Sequence, residues 1–296
     1  MQSRRAGMNA MTPYLYVLPC VLLLGVFVYI PLVANFYYSA FSFSALSPTK
    51  EFVGLQNFKT LFSDQVIATA IVNNIWYCLI SVAIQVLLAL VIASLLEDKL
   101  FSKISTVLRT TYFLPVLISM TVVALLFSFV YHPKIGLINA ALKFFGMKNP
   151  PAWTGDPKTA IFSAIIMSQW HSTGYTTMLF IVAIQGISED LYEAAEIDGA
   201  NRLQRFWHIT VPQVREMMFV TMVTTVTGAF LVFNDVYILT QGGPGNASTT
   251  LAVYMYRNAF NLDKMGYAST IAIIMLIICM ILAVIQNTAF RSGKGD

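Results

Sequence analysis

EDLYEAAEIDGANRLQRFWHITVP, residues 189–212, is a charged stretch between two long apolar runs, and its internal spacing is that of two short helices. Ser188 stands where a helix cap is wanted. Glu189 and Asp190 follow in the first turn, where the positive end of the helix dipole favours carboxylates. The YEAAEI segment propagates that helix well. Gly199 ends it, because glycine adopts the left-handed conformation beyond a helix C-terminus at little cost, and its lack of a side chain lets the flanking helices pack closely. Asn201 followed by Gln204 has the spacing of a capping box and opens a second helix of about two to three turns, expected to end at Pro212. The stretch reads as helix, glycine elbow, helix.

The flanking runs set the solvent. The chain has 296 residues, 57% hydrophobic and 11% charged, where soluble domains average about 25% charged. Six stretches are long enough to cross a hydrocarbon core, which takes about 20 helical residues: 13–38, 69–96, 111–131, 159–186, 217–240 and 266–289. The third contains the charge-free YFLPVLISMTVVALLFSFVY, apolar all round. Only helices and closed barrels satisfy the backbone in lipid, and these runs are too continuous for alternating barrel strands. Arg4 and Arg5 precede an apolar run like the start of a secretory signal, but the chain stays uncharged from Ala6 to Thr49. That is too long for a signal core, and it reads as an uncleaved first span. The expected fold is an all-α membrane protein of six transmembrane helices, one domain over 1–296 without linker or repeat.

Charge excludes several classes. The net charge of +4 is spread along the chain and forms no nucleic-acid stripe. Cys20, Cys78 and Cys279 lie in apolar runs, as buried thiols do. With the N-terminus inside, inner segments hold ten Lys and Arg against eight outside, a small bias, yet seven of eight arginines fall inside.

Glu193-Ala194-Ala195, then Asp198, Gly199 and Ala200, then Phe206, Ile209 and Pro212, resemble the EAA loop of permease subunits in binding-protein-dependent ABC importers. The resemblance continues in FVGLQNFKTLF (52–62), in the outer loop 136–157, in FNDVYILTQGGPGNAST (233–249) and in AFNLDKMGYAST (259–270). It is to the maltose-type carbohydrate permeases, in particular to the member that pairs with a second, different permease. It implies the type I importer permease fold and a coupling helix that sits on a cytoplasmic ATPase. The implied partners are a homologous second permease, two ATPase subunits carrying ATP and Mg, and an extracytoplasmic solute-binding protein. It also implies a multi-pass protein of a bacterial or archaeal cytoplasmic (inner) membrane, with both termini cytoplasmic. No cofactor is expected on this chain. In the outer loops, a surface for the binding protein competes with a tidy interfacial helix, and the resemblance favours docking.

Inside the spans, ionisable side chains are costly and usually face a cavity or a partner. Asp235, beside Asn234 and Tyr237, reads either as a hydrogen-bond contact to sugar hydroxyls or as a carboxylate reaching water at the outer interface. The fourth span offers Trp170, His171 and Tyr175 among Gln169, Ser172 and Thr173, groups able to hold a neutral carbohydrate. Tyr175 aligns with a sugar-contacting position of the maltose-type permease. His171 reads rather as a helix–helix hydrogen bond, and so do Asn73 and Asn74. Asn246-Ala247-Ser248 fits a glycosylation pattern too common to weigh, and Gly242–Gly245 is a turn rather than a phosphate loop, since no Lys-Ser/Thr follows.

Two other function classes compete. No H-E-x-x-H, C-x-x-C or G-x-S-x-G occurs, and His132, His171 and His208 are scattered, which counts against a membrane-embedded glycosyl- or lipid-modifying enzyme. A receptor or scaffold would show no coupling to ATP hydrolysis. Within the importer class, glycerol phosphate or a polyamine is the alternative cargo; a phosphate would want a basic residue in the cavity, and the spans contain no Lys or Arg.

Overall fold

A backbone surrounded by lipid has to satisfy its amides within the segment, and the long apolar runs do so as helices. The computed structural model describes residues 12–47, 49–98 and 102–292; Arg4 and Arg5 lie outside them. Three expected spans are continuous apolar helices long enough to cross a bilayer, Tyr14–Ser39, Gln65–Glu97 and Met265–Phe290. The fourth is the 26-residue helix Ala160–Gln185, with the polar run from Gln169 to Thr177 in its middle. In the first span the helix widens to a π turn at Gly25–Tyr29, just before Pro31, whose missing amide cannot close the turn onto Phe27.

The other two expected spans are each broken into two helices. The helix Ser102–Phe113 passes into a tight turn at Leu114–Leu117. A new helix, Met120–Val130, then leaves at 99° to the first. Pro115 withholds its amide from the ladder, and Ile118 and Ser119 take extended backbone with ψ of 136° and 135°. The run 217–240 is Arg215–Phe230 followed by Asn234–Leu239, open at residues 231–233. A charge-free run signals residence in lipid but says nothing of straightness.

The contacts divide the chain into two compact units, and no linker marks the boundaries, one of which falls inside the last helix at Ile274. In the unit formed by the described part of Met1–Ser63 with Met255–Ile274, a small antiparallel pair joins Phe41–Ser42 to Glu51–Phe52. Asn57, on the short helix Gln56–Ser63, donates to the carbonyls of Ser39 and Phe41 at 2.8 and 3.0 Å. The Asp263 carboxylate accepts from the Ser44 hydroxyl and, at 2.8 Å, from the Ala45 amide; these donors hold it below the usual carboxylate range.

The other unit, Asp64–Tyr254 with the described part of Met275–Asp296, is built around the fourth span. One cluster joins Val86, Leu90, Ala93 and Leu96 of the second span to Phe180, Ile181 and Ile184 of the fourth. A second brings Ile161, Ala164 and Ile165 against Tyr77 and against Ala229 and Val236 of the broken fifth. A third seats Met167 against Val123, Ala124 and Tyr131 of the bent third.

Candidate functional site

The elbow forms as a helix Glu189–Ile197 with Glu189 and Asp190 in its first turn. Ser188 stands at the cap position in extended backbone, but its side chain makes no capping bond, contrary to expectation. At the far end Gly199 has φ of 79°. The Ala200 amide donates to the Ala195 carbonyl at 2.9 Å, and that of Gly199 to Glu196 at 3.1 Å. This is the paired C-terminal closure that a left-handed residue permits. A Cβ on Gly199 would meet nothing within 4 Å. The glycine is therefore required by the sign of φ and not, as expected, by close helix packing.

Asn201 and Gln204 form the expected capping box, with bonds of 2.9 and 2.8 Å. The second helical run continues through Arg202–Arg205, a π turn at Phe206–Thr210, and Val211–Gln213. Pro212 lies within this run instead of ending it. The wide turn, closed by the Val211 amide on the Phe206 carbonyl, leaves proline at the start of a fresh turn, where a missing amide costs little. Two bonds brace the elbow from helix to helix: Arg205 to Glu196 at 3.0 Å and Tyr192 to Thr210 at 2.9 Å.

Of the residues singled out by sequence, Glu193, Ala194, Asp198, Gly199 and Pro212 are exposed, while Ala195, Ala200, Phe206 and Ile209 are half-buried. Phe206 and Val211 pack inward on the cluster around Leu90 and Phe180. Sequence reasoning missed Ile197, Leu203 and Trp207, which are 87%, 67% and 58% exposed on the same elbow. Large apolar side chains in an otherwise charged stretch were the available signal.

Within the membrane unit a polar seam runs along the second span at Asn73, Tyr77, Ser81 and Gln85, one residue per helical turn. Asn73 donates to the carbonyls of Ala247 and Thr249 at 2.9 and 2.8 Å. Its neighbour Asn74 donates to Ala229 at 2.7 Å and accepts from the Leu251 amide at 3.0 Å. Asn74 is thus the helix–helix tie that was expected, whereas Asn73 ties its helix to the irregular segment after the fifth span. Asn74 and Thr250, whose hydroxyl reaches the Val232 carbonyl at 3.0 Å, satisfy carbonyls around the break in the fifth span. Deeper along the seam, the Tyr77 hydroxyl donates to Asp235 at 2.5 Å, and Gln169 joins Ser81 and Gln85 at 3.0 and 2.8 Å. Tyr77, Ser81 and Gln85 were missed, although their four-residue spacing in an apolar run marks one helix face.

The cavity residues named from the sequence separate into groups. Asp235 is half-buried on Tyr77, Asn234 is exposed, and Tyr237 stacks on Phe233 at 4.9 Å. His171 donates from Nε2 to the Ile118 carbonyl at 2.9 Å and so satisfies backbone freed by the bend in the third span. Trp170 lies against Phe127, their rings 5.4 Å apart, and lines a cavity of about 500 Å³ with Leu126, Val130, Ile135 and Leu137. Among the described residues that line it, all but Trp170 have purely hydrocarbon side chains, so this cavity suits hydrocarbon better than a sugar. Tyr175, half exposed at 53%, stands roughly 140° around the helix from Trp170. Trp170 and Tyr175 therefore do not share one surface.

Past the fifth span, Gln241, Gly242 and Gly245 take positive φ. The chain then turns inward, so that Ser248 is fully buried and donates to the Gly243 carbonyl at 2.6 Å. The glycosylation pattern at Asn246 is thus partly enclosed in the fold.

Residues 85–292 match the family described as binding-protein-dependent transport system inner membrane component. The probable ABC transporter permease protein YurN of Bacillus subtilis is 51% identical over 289 residues, covering 97% of this chain and 99% of its own. The trehalose/maltose transport system permease protein MalF of Thermococcus litoralis is 31% identical, covering 90% of this chain and 89% of its own. Among solved structures, a chain of a bacterial alginate ABC transporter superposes with a TM-score of 0.85 at 22% identity, over 96% of this chain and 95% of that one. That transporter was crystallised with an alginate-pentasaccharide-bound periplasmic protein.

Proposed function

Because the chain belongs to the family of binding-protein-dependent transport system inner membrane components, we propose that it is the membrane-spanning permease subunit of an ATP-driven importer whose cargo is a sugar or oligosaccharide. The observation that carries the reading is the elbow 189–213. It is capped, braced by Glu196–Arg205 and Tyr192–Thr210, and turns Ile197, Leu203 and Trp207 outward beside Glu193. Exposed apolar anchors ringed by charge are what a cleft on a partner protein recognises. The partner is a cytoplasmic ATPase in two copies, which carries ATP and Mg, and a second homologous permease supplies the other half of the path. With the elbow in the cytoplasm, both termini are cytoplasmic and the protein lies in a bacterial or archaeal cytoplasmic membrane.

ATP shifts the importer toward one conformation only by binding it more tightly than the other. A closing ATPase pair can transmit that difference through the elbow only if the elbow does not flex. Its closed turn and two braces supply that stiffness. On the outer side, the binding protein then releases its cargo into the opened path.

The cargo class rests on the relatives and on the composition of the spans. The buried Asn, Tyr, Ser and Gln side chains of the seam are spent on bonds within the protein and leave the cargo to other groups. The spans contain no Lys or Arg to neutralise a phosphate. Neutral hydrogen-bonding groups suit a polyhydroxylated solute, and the relative named for trehalose and maltose is of that kind. Of the six residues proposed for the cavity, Asp235 with its neighbours Asn234 and Tyr237, and separately Tyr175, stay candidates for cargo contact, whereas Trp170 faces an apolar cavity and His171 is spent on the Ile118 carbonyl.

The test is purification of the tagged chain in mild detergent, with ATPase activity assayed on what accompanies it. Recovery of an ATPase and a second permease is expected, with hydrolysis weakened by Glu193→Arg at the exposed face. A chain recovered alone from several gentle detergents would overturn the importer reading.

A further inference from the structure

A stiff elbow is useless unless something stiff holds it to the membrane helices, and the inner corner between the second and third spans does this. The second span ends at Glu97. Glu97 Oε1 is met at 2.5 Å by Arg109, on the helix Ser102–Phe113 that leads into the third span, and at 3.1 Å by the Gln185 amide of the fourth. Arg109 also donates to the Leu96 carbonyl at 3.2 Å, where the buried Ser105 hydroxyl donates at 2.8 Å. The next residue, Asp98, pairs with Arg202 at 3.4 Å, on the first turn of the elbow's second helix. Beneath these bonds Phe206 and Val211 pack on Leu90, Ala93, Leu96, Phe180 and Ile184.

We infer that Glu97 and Asp98 are positioning residues for coupling, which clamp the elbow to the inner ends of the second, third and fourth spans so that all four move as one body. The inference rests on the coupling reading above. Hydrophobic contact is non-directional, and the polar bonds supply the direction it lacks: the Arg202–Asp98 pair favours one angle of the elbow at this corner, and Glu97 ties the residue beside it to two further helices. An ion pair this exposed contributes little to stability. Its use is orientation.

Spin labels at Gln213→Cys on the elbow and Thr106→Cys on the helix Ser102–Phe113, in a background lacking Cys20, Cys78 and Cys279, measure the clamp by electron–electron resonance in the full complex. The expected result is one narrow distance, the same without nucleotide and after trapping with ATP and vanadate. Asp98→Arg broadens the distribution, and the milder Asp98→Asn does so to a smaller degree. Adding Arg202→Asp to Asp98→Arg restores the narrow distance, a rescue that a merely structural defect would not show. A distance that already shifts on trapping in the unmutated clamp overturns the inference, as does an unchanged distribution in both Asp98 variants. Failure of the underlying coupling reading is seen separately and earlier, as a preparation with no vanadate-sensitive ATPase.

Discussion

Gly199 was expected for two reasons, a left-handed backbone and close helix packing, and the structure keeps only the first. Its φ of 79° costs an ordinary L residue roughly 1–2 kcal/mol, while the space around its absent Cβ is open. The two explanations predict different variants. If packing mattered, side-chain volume would decide; since backbone sign matters, tolerance of the left-handed region decides. Gly199→Asn should retain the accompanying ATPase and most uptake, whereas Gly199→Val should express normally and lose transport. Equal loss in both variants would return the argument to packing. His171 carries the same lesson in reverse: a histidine at membrane depth invites a functional role, yet its Nε2 is committed to the Ile118 carbonyl.

At the scale of elements, the bend of the third span is held by the fourth. His171 takes the freed carbonyl, and three residues on, Gly174 faces the backbone of Tyr112 and Phe113. A Cβ at Gly174 would fall on the Tyr112 carbonyl oxygen and lie 3.2 Å from the Phe113 Cα. Overpacking of this kind costs about 1–3 kcal/mol. Gly174→Ala should therefore lower the melting temperature of the purified protein, read by a thermal-shift assay in detergent. Gly228→Ala is the control, since its Cβ meets nothing within 4 Å and alanine favours a helix interior by roughly 0.5–1 kcal/mol. A melting temperature raised by both substitutions would refute the contact. The polar seam is an element-scale feature too. Its members pair across helices, and such bonds keep broken spans satisfied where water is absent.

The whole molecule poses the question of orientation, on which the coupling mechanism depends. In the proposed orientation Leu46, 92% exposed after the first span, lies outside, and the exposed Gln213, at the end of the elbow, lies in the cytoplasm. In intact cells a membrane-impermeant maleimide should label Leu46→Cys, and should label Gln213→Cys only after permeabilisation. The opposite pattern would invert the chain and remove the elbow from any cytoplasmic ATPase. The clamp at Glu97 and Asp98 also belongs to this scale, because it turns separate helices into one moving part.

What the sequence determined by itself was set by local physics. Apolar runs require lipid and therefore helices, so residence in the membrane and the approximate limits of the spans were legible. Asn201 and Gln204 announced a cap because a capping box is made within four residues, and Gly199 announced a turn because its freedom of φ is intrinsic. The tertiary structure decided everything that depends on what lies opposite. Pro115 and Pro212 are the same residue type, yet the first accompanies a 99° bend and the second sits inside a continuing helical run. The bend after the first leaves a carbonyl that His171 of the fourth span takes, whereas a π turn sets the second at the start of a fresh turn. Likewise, Tyr77 became the partner of Asp235 across 158 residues of chain. Such pairings have no local signature, because hydrogen bonds and packing depend on distance in space and carry no record of separation along the chain.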